Sequence, residues 1–294
     1  MSAYAGARGR RISRVSPIPP GGKDAARVRR AFRVSVVIPA KNEEGNIAWV
    51  LRHMPLSVDE VILVDGNSTD HTVEVARAIR PDIVVVNEPG RGKGTAMRAG
   101  FAAARGAYVV VLDADGSMDP ADVDRFVDAL EAGADLVKGS RYIAGGASSD
   151  LTFIRSLGNR LLLFASNLIY GQRFTELCYG FMALRRSRID ELRLIATGFE
   201  IETEIVCRSV VQGFRITELP SLEAERISGE SNLHAVRDGL RVVRTMLRCA
   251  VSETVAPATE PAPAAHLANA FERFEELVAE SQRVPVKAEV SIVD

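Results

Sequence analysis

Cysteine is scarce in this chain, which has three cysteines in 294 residues. Cys178, Cys207 and Cys249 lie far apart, are odd in number and lack the paired spacing of a zinc site. This scarcity excludes a disulfide-stapled secreted domain and a cysteine-rich zinc module. Reduced thiols in a cytoplasmic protein are the simplest expectation.

Long apolar runs are also missing. The most apolar stretches, such as residues 161–170, are shorter than the roughly 20 residues that span a bilayer. We therefore expect any membrane contact to be peripheral, on the inner face. The formal net charge is only -1, so there is no general electrostatic attraction to nucleic acid, and no nucleic-acid partner is predicted.

The two ends of the chain differ from its middle. Residues 1–33 carry nine basic residues against a single acid and several prolines and glycines, which predicts a disordered basic arm. No apolar run follows these arginines, so the arm is not expected to be a signal peptide. Residues 251–266 read as a linker. Residues 267–294 are expected to form a short amphipathic helix and a tail, and this helix would dock on the body or on a second copy in a homo-oligomer.

Between residues 34 and 250, apolar runs alternate with helical patterns. This alternation predicts an α/β fold, with a mostly parallel sheet and helices on both of its faces. The expected strands are 34–38, 60–64, 83–86, 108–112, 135–138, 178–184 and 214–219. The expected helices are 43–53, 72–79, 94–104, 120–131, 151–170, 199–211 and 235–250.

The strand at 108–112 is followed by two carboxylates, Asp113 and Asp115. The carboxyl ends of parallel strands form the edge at which open α/β sheets bind ligands. Two carboxylates so close together repel each other unless a cation or hydrogen-bond donors hold them. Mg²⁺ or Mn²⁺, bound together with substrate phosphates, is the usual solution. The alternative is a strand end with solvated aspartates.

Polar loops follow the first four strands and are expected to meet at the same edge of the sheet. They are residues 39–44, 65–70, 89–94 and the Asp113/Asp115 pair. In the third loop, glycines surround Lys93 at a helix start, where backbone amides and an ammonium group favour an anion. A flexible surface turn is the alternative. The loop has the spacing of neither a P-loop nor a dinucleotide-binding fingerprint.

Taken in order, these segments resemble those of family 2 glycosyltransferases with the GT-A fold. Within that family the chain is most similar to the dolichol- and polyprenyl-phosphate sugar transferases. The matching segments are 36–43, 64–70, 92–94, 112–115, 139–141 and 226–231. The resemblance covers residues 34–247 and implies a Rossmann-like GT-A domain over residues 34–250. It also implies a nucleotide-sugar donor, a UDP- or GDP-hexose.

The resemblance implies roles for individual residues. Asp113 and Asp115 would be the ligands of Mg²⁺ or Mn²⁺, and Asp115 would be catalytic through that ion. The implied nucleotide-sugar site consists of Pro39, Glu43, Asp65, Lys93, Asp113, Ala114, Arg226 and Ser231. Of these, Arg226 and Ser231 would lie on a loop that closes over the diphosphate or the acceptor.

The acceptor determines which further groups are needed. A phosphate acceptor is already an anion and needs cations to hold it, of which Arg141 is the catalytic candidate. The acceptor site implied by the resemblance is Ser140, Arg141 and Arg155. A hydroxyl acceptor needs a general base, for which Glu202 is the candidate. The neighbouring Glu200 and Glu204 are expected to complement the dipole of their helix.

The predicted helix at 235–250 carries a basic row beside an apolar row. The basic row is Arg237, Arg241, Arg244 and Arg248, and the apolar row is Val236, Leu240, Val243 and Leu247. Such a helix can lie on an anionic membrane surface. Most such helices, however, pack their apolar row on the core and leave their charges in water.

The leading prediction is a metal-dependent inverting glycosyltransferase that moves a sugar from a nucleotide-sugar to polyprenyl phosphate. The alternative is transfer to a soluble hydroxyl acceptor, in a secondary-metabolite or cell-envelope pathway. Ser117 favours this alternative, because lipid-phosphate transferases often have Gln at that place. A sugar-nucleotide pyrophosphorylase would need a glycine-rich loop after the first strand, which residues 39–42 do not form. A non-catalytic nucleotide-binding module would not need the Asp113/Asp115 pair.

Overall fold

The structure is a computed structural model that describes residues 33–90, 92–148, 153–229 and 234–251. The predicted basic arm, linker and C-terminal helix lie outside these ranges, apart from Arg33 and Val251 at their edges. The strands are β1 (Val34–Ala40), β2 (Glu60–Asp65), β3 (Val84–Asn87), β4 (Tyr108–Val111), β5 (Leu136–Ser140), β6 (Ala147–Ser148), β7 (Met182–Arg185), β8 (Ile216–Pro220) and β9 (Leu222–Glu223). The helices are α1 (Ile47–Arg52), α2 (Thr72–Ile79), α3 (Lys93–Ala103), α4 (Val123–Glu131), α5 (Phe153–Tyr170), α6 (Arg186–Ile189), α7 (Ile201–Val211) and α8 (Ala235–Val251).

Seven strands form one sheet in the order β3-β2-β1-β4-β7-β5-β8. β1 is parallel to β2 and β4, β2 is parallel to β3, and β5 is parallel to β8. β7 is antiparallel to both of its neighbours, β4 and β5. The predicted mostly parallel α/β fold is therefore confirmed. β6 and β9 form a separate two-stranded sheet that no strand pattern in the sequence indicated.

Helices cover both faces of the sheet because its central strands are apolar on both sides. In β4, Val110 packs into a core that includes Phe126 of α4, whereas Val109 packs into a second core that includes Met97 of α3. Helices α1, α2 and α4 contribute to the first core, and α3, α5, α7 and α8 contribute to the second. Near-continuous apolar strands are the usual signature of this double burial.

Helix α1 begins four residues later than the sequence pattern predicts. Residues 43–46 form a turn in which the amides of Asn46 and Ile47 donate to the carbonyl of Glu43, at 3.0 and 2.9 Å. The amide of Glu43 donates to Oγ1 of Thr72 at 2.8 Å, which ties this turn to the start of α2. Glu43 is thus a loop residue at the carboxyl edge of the sheet.

Helix α8 buries a different face from the predicted apolar row. Val242, Met246 and Cys249 pack into the second core, whereas Leu240 is 56% exposed. The expectation that the row of Val236, Leu240, Val243 and Leu247 packs on the core is therefore wrong for Leu240, while Val243 and Leu247 are half-buried. In the part of the chain that the structure describes, no helix is both long and apolar enough to cross a membrane.

Candidate active site

A cavity of about 860 Å³ lies at the carboxyl edge of the sheet. The loops after β1, β2, β3 and β4 all line it, which confirms the predicted convergence of four post-strand loops. Residues of α5, α7 and α8 complete its wall, together with the segment that follows β9. The lining residues that carry the chemistry below are Glu43, Lys93, Asp113, Asp115, Glu202 and Arg226.

Lys93, the first residue of α3, lies between two carboxylates. Its Nζ is 2.6 Å from Oδ1 of Asp113 and 2.7 Å from Oε1 of Glu202. The three side chains converge on Gly180, where a Cβ atom would lie 2.8 Å from Lys93 Nζ and 3.0 Å from Glu202 Oε1. Glycine is needed at position 180 because charged groups approach its backbone so closely.

One ammonium group cannot neutralise two carboxylates, of which Asp113 is partly buried and Glu202 is nearly buried. Burial, with the nearby charges of Asp115 and Glu202, raises the pKa of Asp113 to about 6, although Lys93 acts to lower it. Burial would lower the pKa of Lys93, but the two carboxylates outweigh it and raise that pKa. Both shifts indicate excess negative charge around a single cation.

Asp115 accepts hydrogen bonds on both of its carboxylate oxygens. Oδ1 accepts from the amide of Ser117 at 3.0 Å and from its hydroxyl at 2.7 Å. Oδ2 accepts from Nη2 of Arg226 at 3.1 Å, and the same nitrogen is 3.5 Å from Oε1 of Glu43. Burial would raise the pKa of Asp115, but Ser117 and Arg226 outweigh it and lower that pKa. Asp115 is therefore ionised at neutral pH.

The centre of the cavity presents four carboxylates and two cations, which leaves it acidic. In residues 33–90, 92–148, 153–229 and 234–251, no three His, Cys, Asp or Glu side chains are grouped closely enough to hold a metal ion. Mg²⁺ is usually held by one or two carboxylates and completes its shell with water and substrate phosphates. The oxygens of Asp113 and Asp115 fit that kind of site, which is completed by a diphosphate.

The glycine-rich start of α3 binds the protein's own chain. The amides of Gly94 and Thr95 donate to the carbonyl of Thr197, at 3.0 and 3.4 Å. A Cβ atom would lie 2.5 Å from a carbonyl oxygen of residues 196–197 at both Gly92 and Gly94. This corrects the expectation that these amides favour an anionic ligand, because the close approach that the glycines permit is used by residues 196–198.

The three glutamates around the start of α7 have different partners. Oε1 of Glu200 accepts from the amide of Gly198 at 3.1 Å. Oε2 of Glu204 accepts from the amide of Ala196 at 2.7 Å, and its Oε1 accepts from Arg208. Both hold the loop that packs against α3, while the role predicted for them beside the helix dipole stays a prediction. Glu202 alone of the three pairs with Lys93.

Comparison with known proteins agrees with this geometry. Residues 35–193 match the sequence model of glycosyl transferase family 2. The chain belongs to this family. The predicted resemblance and the predicted enzyme class, a glycosyltransferase that uses a nucleotide-sugar, are therefore confirmed.

Individual relatives of this family 2 glycosyltransferase are similar over most of its length. Glycosyltransferase AglJ of Haloferax volcanii is 32% identical over 209 residues, 70% of this chain and 68% of that protein. Polyprenol monophosphomannose synthase of Mycolicibacterium smegmatis is 32% identical over 225 residues, 72% and 85% of the two chains. A solved structure of Mycobacterium tuberculosis glucosyl-3-phosphoglycerate synthase with Mn²⁺, UDP-glucose and glycerol 3-phosphate is 25% identical, with a TM-score of 0.59 over 78% and 82% of the chains.

Of the residues predicted to bind the acceptor, Ser140 and Arg141 are buried and already bonded. Nε of Arg141 donates to Glu176 at 2.8 Å and Nη1 donates to Glu223 at 3.0 Å. Oγ of Ser140 is 2.7 Å from Oγ1 of Thr175. Arg141 lines the cavity, but both carboxylates hold its guanidinium. We therefore interpret it as a positioning residue, and its acceptor role stays a prediction.

The remaining residues of the predicted nucleotide-sugar and acceptor sites fall into three groups. Pro39 and Ala114 line the cavity where β1 and β4 end. Asp65 ends β2 and is nearly buried, with its carboxylate 3.3 Å from the amide of Ser68. Ser231 lies outside the described residues, as does the side chain of Arg155 on α5.

Ser117, Glu223 and Gly180 complete the site, although the sequence pattern assigns a function to none of them. Ser117 fixes Asp115, and the Asp-x-Ser spacing is a local signal that could have indicated this bond. Glu223 is 82 residues from its partner Arg141. Only the fold brings them together, so no local sequence signal for that pair exists.

Proposed function

We propose that this glycosyltransferase moves a hexose from a UDP- or GDP-sugar to polyprenyl phosphate, with Mg²⁺ or Mn²⁺ bound at Asp113 and Asp115. An oxygen of the acceptor phosphate forms the new bond to the anomeric carbon, opposite the leaving group. The bond from that carbon to the diphosphate breaks, and the nucleoside diphosphate leaves. The protein would work as a peripheral protein at the cytoplasmic face of a membrane.

The donor side of the proposal is supported by the acidic centre of the cavity. A divalent ion there would neutralise the charge that develops on the leaving diphosphate. Asp115 is ionised and held in place by Ser117, which suits a ligand that must not move. The similar solved structure that contains Mn²⁺ and UDP-glucose supports the same assignment.

The observation that carries the acceptor assignment is the surface of α5 and α8, two helices that also line the cavity. We call it the α5–α8 surface. Its exposed apolar side chains are between 45% and 59% exposed and are Leu161, Phe164, Leu168, Leu240 and Val251. Tyr170 of α5 donates to the carbonyl of Met246 of α8, at 2.7 Å, so the two helices are bonded together. Apolar rows flanked by arginines suit the interface of an anionic membrane, where a lipid acceptor resides.

Charge and proton chemistry also favour a phosphate acceptor. A phosphate oxygen is already ionised, so its attack needs no general base. Glu202, the candidate base, is held by Lys93 at 2.7 Å and is nearly buried. Arg237 and Arg241 of α8 line the cavity and offer guanidinium groups to an incoming phosphate. The relative named polyprenol monophosphomannose synthase supports this acceptor class.

A soluble hydroxyl acceptor is the second candidate. It is favoured by the similarity to glucosyl-3-phosphoglycerate synthase, whose solved structures include complexes with phosphoglyceric acid. In that case Glu202 would have to exchange Lys93 for the acceptor hydroxyl before it could take a proton.

Release of nucleoside diphosphate tests the two candidates. We would assay the full chain with Mn²⁺ or Mg²⁺ and a panel of UDP- and GDP-sugars, with and without a short-chain polyprenyl phosphate. We expect metal-dependent release that rises sharply with the lipid phosphate and is lost in Asp115→Asn. Asp119→Asn is the matched control, because Asp119 only caps the turn before α4 and Asn is an equally good cap.

The outcomes separate the proposals. Metal-dependent release that the lipid does not affect would move the acceptor to a soluble hydroxyl compound. Release that survives in Asp115→Asn at the wild-type rate would remove the metal role of this residue. Release that needs no divalent cation would overturn the metal-dependent mechanism.

A further inference from the structure

Arg226 occupies a position at Asp115 that a divalent cation would need. Oδ1 of Asp115 already accepts two hydrogen bonds from Ser117, and Oδ2 accepts one from Arg226. A divalent cation on Oδ2 would lie beside the guanidinium. Two positive charges so close in a partly buried site repel each other strongly.

The guanidinium also relieves repulsion among the acids around it. Its Nη2 bridges Asp115 and Glu43, at 3.1 and 3.5 Å. Burial, with the neighbouring charges of Asp115 and Asp113, raises the pKa of Glu43, although Arg226 acts against this shift. Arg226 thus supplies part of the positive charge that a bound metal ion would supply.

We propose that Arg226 is the resident cation of Asp115, which gives up this carboxylate when a divalent cation and a nucleoside diphosphate bind, and then pairs with the diphosphate. The inference rests on the proposed function, because it takes Asp115 to be the metal ligand. A guanidinium suits both partners, since it binds carboxylate and phosphate oxygens with similar geometry.

The backbone around Arg226 is anchored independently of its side chain. The amide of Ala224 donates to the carbonyl of Ser117 at 2.9 Å, and the amide of Ile227 donates to the carbonyl of Asp115 at 3.1 Å. Oγ of Ser228 donates to Asn46 at 2.6 Å. A long side chain on a fixed backbone can exchange partners without opening the segment.

Arg141 provides a contrast within the same cavity wall. It also lies between two carboxylates, but its side chain is only 7% exposed. The side chain of Arg226 is 22% exposed, so solvent and ligands reach it. Partner exchange is therefore expected at Arg226 and not at Arg141.

The exchange predicts that the metal ion and the nucleotide bind cooperatively. A metal ion alone would have to displace a guanidinium that then keeps only Glu43 as an anionic partner, at 3.5 Å. With the diphosphate present, the displaced guanidinium gains a second one. Each ligand should therefore strengthen the binding of the other by the same factor.

Mn²⁺ binding tests the inference without any turnover. We would measure free Mn²⁺ by electron paramagnetic resonance with the full chain, in the presence and absence of UDP. Without UDP, Arg226→Ala should bind Mn²⁺ about tenfold more tightly than the wild type, the order expected when a competing charged hydrogen bond is removed. The cooperativity between Mn²⁺ and UDP should shrink in this variant. Arg226→Lys, which keeps the charge, should restore weak binding of Mn²⁺ alone.

Two controls test whether a change in Mn²⁺ binding comes from the Arg226 side chain itself. Arg80→Ala removes an arginine that pairs with the exposed Asp82 at 3.3 Å and should bind Mn²⁺ as the wild type does. Trp49 is the single tryptophan of the chain, and its ring lies 3.5 Å from the Cβ position of Gly116, where Ile227 also packs. An unchanged Trp49 emission spectrum in Arg226→Ala shows that the segment is still docked.

The inference and the proposed function fail in different ways. If the wild type binds Mn²⁺ and UDP but Arg226→Ala gains no affinity for Mn²⁺ alone, the exchange is overturned and the donor site stands. If neither protein binds Mn²⁺ under any condition, both the exchange and the proposed metal site are overturned.

Discussion

At the scale of single residues, the position of Lys93 determines what two carboxylates can do. Its ammonium is within 2.7 Å of an oxygen of Asp113 and of Glu202. Asp113 nevertheless keeps a raised pKa, since burial outweighs its share of the one positive charge. Keeping this partly buried carboxylate ionised in the folded protein costs free energy, and a bound cation would lower that cost.

The pH dependence of stability should reveal that cost. Asp113 has an ordinary pKa of 3.8, which burial raises to about 6. Between about pH 4 and 6 the folded protein keeps a proton that the unfolded chain has lost. Asp113 therefore destabilises the fold increasingly as the pH rises through this window. We expect the unfolding free energy of Asp113→Asn, relative to the wild type, to increase by up to about 3 kcal/mol between about pH 4 and pH 6.

Urea unfolding at several pH values measures this difference in the metal-free protein. Asp70→Asn is the control of opposite sign. Partial burial acts to raise the pKa of Asp70, but hydrogen bonds from Thr72 and from the amide of Glu44 lower it. Asp70 therefore contributes stability that is lost as the pH falls. The unfolding free energy of Asp70→Asn, relative to the wild type, should decrease as the pH rises. A constant difference for Asp113→Asn from pH 4 to 7 would contradict the raised pKa.

At the scale of elements, the contact between the start of α3 and residues 196–198 determines where Lys93 points. Gly92 and Gly94 bring the start of the helix against the carbonyls of Thr197 and Ala196, and two amides of its first turn donate to Thr197. Glu200 and Glu204 hold the same loop from α7. The pairing of Lys93 with Glu202 thus depends on how two helices pack.

A pair of glycine substitutions tests this element. In Gly94→Ala the new methyl group would lie 2.5 Å from the carbonyl oxygen of Ala196, a backbone atom that cannot easily yield. We expect a loss of about 2 kcal/mol or more in unfolding free energy. Gly239 in α8 has no atom within 4 Å of its Cβ position. Gly239→Ala should stabilise the protein by about 0.5–1 kcal/mol through helix propensity.

Urea midpoints of the two variants provide the comparison, and nucleotide binding supplies a second readout. Gly94→Ala should also weaken UDP binding, because Lys93 is the residue directly before it in the helix. Equal stability of the two variants would show that the contact between α3 and residues 196–198 contributes little.

At the scale of the whole molecule, α5 and α8 contribute to both the cavity and the α5–α8 surface. α5 and α8 line the cavity with some residues and expose apolar side chains with others. A membrane-bound acceptor would meet both features at once. The support for a lipid acceptor therefore comes from the way the fold combines these two features, and no single sequence motif provides it.

Binding to lipid vesicles tests the α5–α8 surface. Phe164→Glu and Leu240→Glu each replace an exposed apolar residue with a charge, at 58% and 56% exposure. Each should lower partitioning onto vesicles that contain anionic lipid by about tenfold or more, since burial of such a side chain contributes about 1.5–3 kcal/mol. Leu56→Glu is the matched control, because Leu56 is 75% exposed and lies outside α5 and α8.

Cosedimentation at low and high salt completes this test. Binding of the wild type should weaken at high salt, because the arginines of α8 would then be screened from the anionic headgroups. Equal partitioning of all three glutamate variants and the wild type would remove this surface as a membrane contact.

The sequence by itself determined the class of fold, the order of the first five strands and helices, and the edge at which the site lies. These follow from local rules: apolar runs bury as parallel strands, and polar loops after such strands meet at one edge. The family resemblance added the metal and nucleotide roles. The boundary of α1 was missed because a turn and a first helical turn look alike in sequence.

Only the tertiary structure decided which charges are paired. Lys93 meets Glu202, Arg141 meets Glu223 and Arg226 meets Asp115, each across more than 80 residues of chain. The antiparallel insertion of β7 and the buried face of α8 were also decided at this level. Such pairings depend on packing between distant elements, and no local pattern encodes them. For that reason the sequence could locate the site, while the fold had to show which of its groups are free to act.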